Sequence, residues 1–317
     1  MTPPTHLPRF VTEPDTYSYS RYLSAKATVD ERALNQRVWS QFVERLAEKS
    51  APVRVLEVGG GVGATVERVV EALEHESPRA LHYTLVDIEA ENIAAARERL
   101  RRWARRRGYS VSGEDPQTWS DGPMEVSIQF INADLFDVAS AQENQSYDAI
   151  IAQAVFDLLN IPATLRALRS LHREGGLWYL PIHFDGVTAF EPTVDATLDA
   201  RIERLYHESM AGTPEREGGA AGVHCGRRLL THLPEAGMPL LRAGSSDWVV
   251  FPRDGAYPAN EAYFLYHILH FVETELSGHP ELDEQKFADW LHTRRRQIAE
   301  GELVYIAHQL DVLAQTP

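Results

Sequence analysis

Residues 53–65 read VRVLEVGGGVGAT, and this short stretch decides the fold. The apolar run at 53–59 is typical of a buried strand, and the VERVVEAL pattern after it is typical of an amphipathic helix. Four glycines lie between the two. Glycines in a strand-to-helix turn let the backbone approach a ligand closely and leave the first helical amides free. The stretch therefore predicts a turn that holds a small ligand.

The same alternation of strand and helix continues along the chain. Apolar runs at 82–89, 126–135, 147–159 and 177–184 predict further strands, separated by helical patterns at 91–108 and 161–176. Such alternation favours a parallel, doubly wound sheet with right-handed crossovers. Beyond residue 185 the regularity ends, and only 239–252 and 303–313 again have the character of strands.

Three acidic residues accompany the glycine turn. Gly59, Gly61 and Ala64 fit a general dinucleotide fingerprint, which by itself indicates only an adenosine-type ligand. Glu57, in EVGGGVG, precedes the glycines, while two aspartates follow at the ends of the next two predicted strands, in YTLVDIE and INADLF. This conjunction resembles the motifs of class I S-adenosylmethionine-dependent methyltransferases.

The resemblance covers roughly Val53 to Leu180 and carries expectations about the cofactor, which would be S-adenosyl-L-methionine with S-adenosyl-L-homocysteine as product. By this resemblance, Asp87 binds the ribose hydroxyls and Asp134 receives the adenine amino group. Carboxylates suit both tasks because their oxygens accept hydrogen bonds. The full set of predicted cofactor-binding residues is Glu57, Gly59, Gly61, Gly63, Asp87, Ile88, Asp134, Leu135, Gln153 and Tyr22.

The resemblance also implies an architecture. We expect a Rossmann-like, mostly parallel seven-stranded sheet in the order 3-2-1-4-5-7-6, with an N-terminal helical arm and helical insertions that form a substrate cover. The predicted segments are an arm and helix at 1–50 that close the site, a cofactor-binding core at 51–184, a helical insertion or lid at 185–238, and C-terminal strands with inserted helices at 239–317.

Candidate catalytic residues come from the ends of the later strands and from a loop. His183 and Asp185 are expected after strand five, because ligands of open α/β sheets lie beyond the carboxyl ends of the strands. A histidine there could take a proton from a nucleophile, although a structural histidine is the alternative. His224 lies in a glycine-rich loop that could close over a substrate. A base is needed only when the nucleophile must lose a proton.

Composition limits the partners. A net charge of -15 does not favour nucleic acid or an anionic membrane. The chain lacks an apolar run of ~18 residues, a secretory signal pattern and a metal-binding motif, and Cys225 is its only cysteine, so we expect a cytoplasmic protein without a metal. The expected partners are a small-molecule acceptor, such as a specialised or hydrophobic metabolite, and a second copy of the chain in a homodimer.

Aromatic side chains in the insertions could cover such an acceptor. They are Phe184, Phe190, Tyr206, Trp248, Tyr257 and Tyr263. The sequence does not resolve whether oxygen, nitrogen or carbon is methylated. Two alternatives also remain open at this stage: a nicotinamide-dependent oxidoreductase, which shares the glycine fingerprint, and a noncatalytic nucleotide-binding regulatory protein, since a fold alone does not establish activity.

Overall fold

The computed structural model describes residues 12–76, 80–141, 146–210 and 222–317. Most of the proline-rich arm and most of the glycine-rich loop before His224 lie outside the described residues. The structural statements below concern the described residues.

One mixed sheet organises the chain. Its strands are β1 Val53–Val58, β2 Ala80–Asp87, β3 Ser110–Ser112, β4 Gln117–Ser120, β5 Glu125–Asn132, β6 Tyr147–Ile151, β7 His172–Glu191, β8 Leu240–Ser245, β9 Trp248–Val250 and β10 Val304–Gln315. They lie in the order β3-β4-β5-β2-β1-β6-β7-β10-β8, and β9 also pairs with β10. The strands β5, β2, β1, β6 and β7 are parallel to their neighbours in that series.

The expected Rossmann-like strand order is confirmed. Counting only the core strands, β5-β2-β1-β6-β7-β10-β8 is the 3-2-1-4-5-7-6 arrangement, and β10 runs antiparallel to β8. The sheet nevertheless has ten strands rather than seven. The antiparallel pair β3 and β4 extends the β5 edge, and the single predicted strand at 239–252 is divided into β8 and β9.

Two strand ends differ from the prediction. The fourth core strand ends at Ile151 instead of continuing to 159, and the fifth runs from His172 to Glu191. His183 and Asp185 therefore lie within β7, and their expected position after the strand was wrong. The apolar residues of 152–159 do not continue the strand. Phe156 instead lies in a short 3₁₀ turn, Phe156–Leu158, and belongs to the hydrophobic core.

Ten α-helices accompany the strands in the described part of the chain. They are α1 Tyr19–Ala33, α2 Gln36–Ala47, α3 Ala64–Glu74, α4 Ala90–Arg106, α5 Leu135–Ala141, α6 Ile161–Arg169, α7 Ala196–Ser209, α8 Cys225–Glu235, α9 Glu261–Leu276 and α10 Glu284–Ala299.

Two neighbouring residues of β7 show what covers each face of the sheet. Successive side chains of a strand point to opposite faces. Trp178 joins a core that includes Leu165 of α6 and Leu229 of α8, whereas Tyr179 stacks on Phe42 of α2, with ring centroids 4.5 Å apart. Helices α2 and α3 also contact each other, as do α6 and α8. The sheet is therefore covered on both faces, as expected for a doubly wound fold.

A short turn at Asn35 separates α1 from α2. The side-chain oxygen of Asn35 accepts from the amides of Arg37 and Val38 and so caps α2. Val38, Phe42 and Leu46, which are spaced every fourth residue, then form the buried face of α2. Asparagine is favoured at this position because it satisfies amides that have no partner within the helix.

By internal contacts the chain divides into two compact units. Within the described residues, unit 1 comprises 12–33, 186–210 and 247–308, and unit 2 comprises 34–185, 222–246 and 309–317. The division falls inside β7 and inside β10. Unit 2 contains the parallel strands and the glycine turn. The four segments and the substrate cover expected from the sequence remain predictions.

Buried charges hold unit 1 together. In α9, Glu261 is fully buried and accepts from Thr28 at 2.9 Å and from the Arg32 guanidinium, both in α1. A second pair joins α7 to α10, where Arg294 donates to Asp199 at 2.8 Å. Arg294 is fully buried and also donates to the backbone carbonyls of residues 190 and 192.

We predict that Arg294→Met lowers the free energy of unfolding by about 3–5 kcal/mol, because it leaves a buried carboxylate without its cation. Urea unfolding followed by circular dichroism measures this. Arg204→Met is the matched control, since Arg204 also lies in unit 1 and forms its ion pairs with Glu208 and Glu281 at the surface. Similar losses in the two variants would contradict the importance assigned to the buried pair.

Candidate functional site

The glycine turn lies between β1 and α3. Gly59, Gly61 and Gly63 have φ values of +66°, +52° and +79°, a region in which side chains other than glycine are strained. The amide of Gly60 donates to the carbonyl of Val86 at the end of β2, at 3.0 Å. The turn is thus held against the neighbouring strand by backbone bonds.

Packing beneath the turn requires two of the glycines. A Cβ on Gly59 would lie 2.3 Å from the Val155 side chain, and a Cβ on Gly60 would lie 2.6 Å from Leu85. Both distances are shorter than carbon atoms tolerate. These glycines therefore bring the turn onto its own protein scaffold, in addition to the ligand approach that the sequence suggested.

Asp87, the last residue of β2, ties the turn to the next helix. One carboxylate oxygen accepts from the Gly61 amide at 2.8 Å, and the other accepts from the Glu89 amide at 2.9 Å and from the Asn92 side chain at 3.1 Å. An ionised carboxylate offers about four acceptor positions. Three are occupied by the protein, so the carboxylate retains capacity for about one ligand hydroxyl.

Glu57 lies in β1 directly before the turn and is 2% exposed. Burial raises the pKa of its carboxyl group to about 7. Hydrogen bonds from Tyr83 and Thr65 and the charge of Arg68 act in the opposite direction, but their combined effect is smaller. The Tyr83 hydroxyl donates to Glu57 at 2.7 Å. A carboxyl group with a pKa near neutrality can change its charge when a cationic ligand group arrives.

Gln153 follows β6 and connects to α3. Its side-chain oxygen accepts from Thr65 at 3.4 Å and from the Arg68 guanidinium at 3.3 Å. Arg68 also lies over the Trp39 ring of α2, 5.8 Å from the centroid. The sequence analysis proposed Gln153 but did not single out Thr65 or Arg68.

Two more strand ends offer accessible groups. Ile88 follows Asp87 and is 64% exposed. Asp134 follows β5, is exposed, and caps α5 by accepting from the Phe136 amide at 2.7 Å. Leu135 is half-buried at the start of α5. Apolar surface and a carboxylate are thus present at the adjacent ends of β2 and β5.

Backbone strain marks a residue just after β6 and a residue within β7. Ala154 and Ile182 have φ values of +53° and +59°, and for a β-branched residue such a value is an outlier. The Ala154 amide donates to the Pro181 carbonyl at 3.1 Å, and the Ile182 amide donates to Asp311 at 2.8 Å. Strained residues cluster at functional sites, because the surrounding structure must hold them in place.

His183 has both ring nitrogens engaged. Nδ1 lies 3.2 Å from the Leu180 carbonyl, which only an N–H can approach as donor, and Nε2 accepts from the Phe156 amide at 3.3 Å. The ring is fully buried. To act as a general base, His183 would have to leave one of these hydrogen bonds, so the geometry favours the structural alternative. Its catalytic role remains a prediction.

The other two catalytic candidates lie near α8. Asp185 is buried and accepts from the Arg227 amide at 3.0 Å and from the Arg227 side chain at 2.9 Å, which joins β7 to the first turn of α8. His224, half-buried, directly precedes α8. Its Nδ1 is buried and has no hydrogen-bond partner within the described residues. Of the three candidates, His224 alone shows a ring nitrogen without a protein partner in that part of the chain.

The predicted residue Tyr22 lies in unit 1. It is buried and stacks on Phe264 and on His267, at centroid distances of 5.6 and 4.6 Å. Its proposed role in closing the donor site remains a prediction. Most of the aromatic residues expected to cover an acceptor are also buried in unit 1, namely Phe190, Tyr206, Trp248, Tyr257 and Tyr263.

Two further searches covered the part of the chain that the structure describes. In those residues, no group of three or more histidine, cysteine, aspartate or glutamate side chains could hold a metal ion. No helix there has both the length and the apolar character that a membrane span requires.

The comparisons with known proteins agree with this geometry. Residues 56–178 match the family model of a methyltransferase domain. The match contains the glycine turn, Asp87, Asp134 and Gln153, and it lies on the 3-2-1-4-5-7-6 sheet. This segment of the chain is therefore a methyltransferase domain. The family predicted from the sequence, that of the S-adenosylmethionine-dependent methyltransferases, is confirmed, and S-adenosyl-L-methionine is the cofactor of that family.

Individual relatives include fungal proteins. The chain is 30% identical over 152 residues, 45% of its length, to "Highly reducing polyketide synthase 40" of Fusarium pseudograminearum. It is 43% identical over 68 residues, 20% of its length, to "Non-reducing polyketide synthase dpmpA" of Macrophomina phaseolina. The chain spans only 5% and 3% of these relatives' own lengths.

Solved structures are similar at lower identity. One is the S-adenosylmethionine-dependent methyltransferase of Geobacter sulfurreducens in complex with S-adenosyl-L-homocysteine. It has 12% sequence identity and a TM-score of 0.46, over 94% of this chain and 98% of that one.

We predict that Glu57→Gln changes the pH dependence of stability. The folded pKa of about 7 exceeds the ordinary value of 4.5, so the stability contributed by protonated Glu57 is fully present below pH 4.5 and is lost as pH rises through 7. The free energy of unfolding of Glu57→Gln, measured relative to that of wild type, should therefore be higher at pH 8 than at pH 5 by on the order of 3 kcal/mol. Urea unfolding of both proteins at the two pH values measures this. The same difference in the free energy of unfolding between the two proteins at pH 5 and at pH 8 would contradict the prediction.

Proposed function

We propose that this chain transfers a methyl group from S-adenosyl-L-methionine to a small-molecule acceptor. The observation that carries the proposal is the carboxyl edge of the sheet in unit 2. There the glycine turn, the Asp87 carboxylate and the buried Glu57 lie within the segment that matches the methyltransferase family.

The residues present fit a sulfonium nucleoside. Asp87 retains acceptor capacity suited to a ribose hydroxyl, and the exposed Asp134 can accept from an exocyclic amine. Exposed Ile88 and half-buried Leu135 offer apolar surface for a purine ring. Glu57 supplies the negative charge that an α-ammonium group requires. The ribose, the purine and the α-ammonium group of the donor thus each have a matching group in unit 2.

When bound, the donor supplies a methyl carbon activated by positively charged sulfur. The protein's contribution is then to align the acceptor with that carbon and to exclude water. Ala154 holds a strained backbone position just after β6, at the carboxyl edge where the acceptor is expected to lie, and Ile182 holds a second strained position within β7. A rigid edge of this kind suits catalysis by alignment, since misplacement of the reacting atoms by 1 Å is costly.

The matching relatives support a polyketide-type acceptor, because their names describe polyketide synthases. Polyketides carry carbonyl groups on alternate carbons, and a carbon or hydroxyl group between or beside such carbonyls becomes nucleophilic on losing a proton. A base would then be required. We propose His224 for this role, because its Nδ1 has no partner within the described residues and a histidine can accept a proton near neutral pH.

The donor prediction is tested by calorimetric titration. Wild type should bind S-adenosyl-L-methionine and S-adenosyl-L-homocysteine and should not bind NAD(H). Asp87→Ala should lose both sulfur nucleosides, because it removes the ribose acceptor and releases the Gly61 amide. Asp148→Ala is the matched control, since Asp148 is also a buried carboxylate of unit 2 that accepts from a backbone amide, that of Arg54 at the start of β1. It should keep donor binding.

The outcomes separate the alternatives. Preference for NAD(H) would support the oxidoreductase and contradict the proposal. Binding of the sulfur nucleosides without methyl transfer to any acceptor would support the noncatalytic regulatory protein.

The acceptor prediction is tested by transfer of a labelled methyl group. We expect label in a β-ketoacyl thioester or a polyketide phenol, and a loss of activity of roughly 100-fold or more in His224→Ala, since 100-fold is the lower bound of the usual contribution of general-base catalysis. Mass spectrometry of the product distinguishes carbon from oxygen methylation. Transfer to amines alone, or full activity in His224→Ala, would contradict the polyketide-type acceptor or the base, respectively.

A further inference from the structure

Arg68 of α3 is a half-buried cation whose charge lowers the pKa of two buried carboxyl groups, those of Glu57 and Asp311, without an ion pair to either. Its guanidinium donates to the neutral Gln153 side chain at 3.3 Å and lies 5.8 Å from the centre of the Trp39 ring. Among the described residues, no carboxylate oxygen lies within the 4.0 Å of an ion pair with Arg68. An arginine has five donors in a fixed fork, and one hydrogen bond to an amide leaves most of them for another group.

The surroundings of Arg68 show where this charge points. Glu57 and Tyr179 lie on the face of the sheet opposite the core formed with α6 and α8, because their strand neighbours Leu56 and Trp178 belong to that core. The positive charge of Arg68 lowers the pKa of Glu57 against the larger effect of burial. Arg68 is therefore close enough to Glu57 to influence it electrostatically, although the two do not pair.

Thr65 and Gln153 connect the two charged residues. Thr65 contacts both Glu57 and Gln153, and Gln153 accepts from Arg68. The result is one carboxyl group that can ionise when a cation arrives and one positive side chain, held apart by neutral polar groups, beside the glycine turn. Two opposite charges kept separate in this way match the ammonium and carboxylate groups of an α-amino acid.

We propose that Arg68 binds the α-carboxylate of the donor's amino-acid end, opposite the ammonium group at Glu57. The proposal rests on the donor binding proposed above and assigns a specific recognition residue to it. A planar guanidinium suits a carboxylate because two parallel N–H donors can bind its two oxygens. The pair makes the site selective for nucleosides that carry an amino-acid end.

A purely structural role explains the observations less well. The bond to Gln153 is long, and the Trp39 ring lies near the 6 Å limit of an effective cation–π contact. Neither requires a charge, whereas placing an arginine in a half-buried position without an ion pair has a desolvation cost. An anionic ligand group would offset that cost.

The test compares two ligands that differ only in the amino-acid end. S-adenosyl-L-homocysteine carries it, and 5′-methylthioadenosine lacks it. In calorimetric titrations, Arg68→Met should lower the affinity for S-adenosyl-L-homocysteine roughly 10- to 100-fold, the range for the loss of a hydrogen bond to a charged group. The affinity for 5′-methylthioadenosine should remain unchanged, and this also reports that the turn is folded. Arg68→Lys should fall between wild type and Arg68→Met.

Arg99→Met is the matched control. Arg99 lies on α4, also contacts α3, and pairs with Glu67 at 2.8 and 2.9 Å, so its loss should leave both affinities at the wild-type value. Equal weakening of both ligands by Arg68→Met would show a structural role and overturn the proposal, as would an unchanged affinity for the homocysteine nucleoside. Failure of wild type to bind either ligand would instead refute the donor site itself, and the assignment of Arg68 with it.

Discussion

The bond between the Asp87 carboxylate and the Gly61 amide is the constraint on which the donor site depends. It joins the end of β2 to the turn that follows β1, and the other oxygen of the same carboxylate holds the first turn of α4 through Glu89 and Asn92. Two strands, a turn and a helix therefore meet at one side chain. The acid that the sequence assigns to a ligand also builds the turn that would receive that ligand.

A second buried carboxylate also joins distant parts of unit 2. Asp311 of β10 is fully buried and accepts from the Ile182 amide and from the Asn35 amide, both at 2.8 Å. It thereby holds the strained backbone of β7 and the start of α2. From Ile182 the connection passes through the Pro181 carbonyl to Ala154, and Val155 beside it packs against Gly59. The last strand of the sheet thus supports the glycine turn through successive contacts.

The sequence predicted those features that depend on local pattern. The glycine turn and the acids at the ends of β2 and β5 follow from residue types at fixed spacings, and the order of the seven core strands follows from the family resemblance that these residues carry. The short hairpin of β3 and β4 was not predicted, because strands of three and four residues are too short to show an alternating pattern. The extent of β7 was missed because its continuation past Ile182 involves a hydrogen bond that the Ile182 amide donates to Asp311, a residue 129 positions away in sequence.

The candidate site divides in the same way. Gln153 could be proposed because a polar residue interrupts an apolar run, but Arg68 and Thr65 lie in an ordinary amphipathic helical pattern, where charged residues are usually solvent-exposed. His183 illustrates the opposite case. A histidine near the end of a strand attracts a catalytic interpretation, and its two hydrogen bonds, to Leu180 and Phe156, appear only in three dimensions.

The central claim is that the carboxyl edge of unit 2 holds the methyl donor, and a crystal structure of the chain with S-adenosyl-L-homocysteine tests it most directly. The account predicts the ribose at Asp87, the purine beside Ile88 and Asp134, and the amino-acid end between Glu57 and Arg68. A nucleoside bound away from the glycine turn would contradict it, as would one bound in the reverse direction along the same edge.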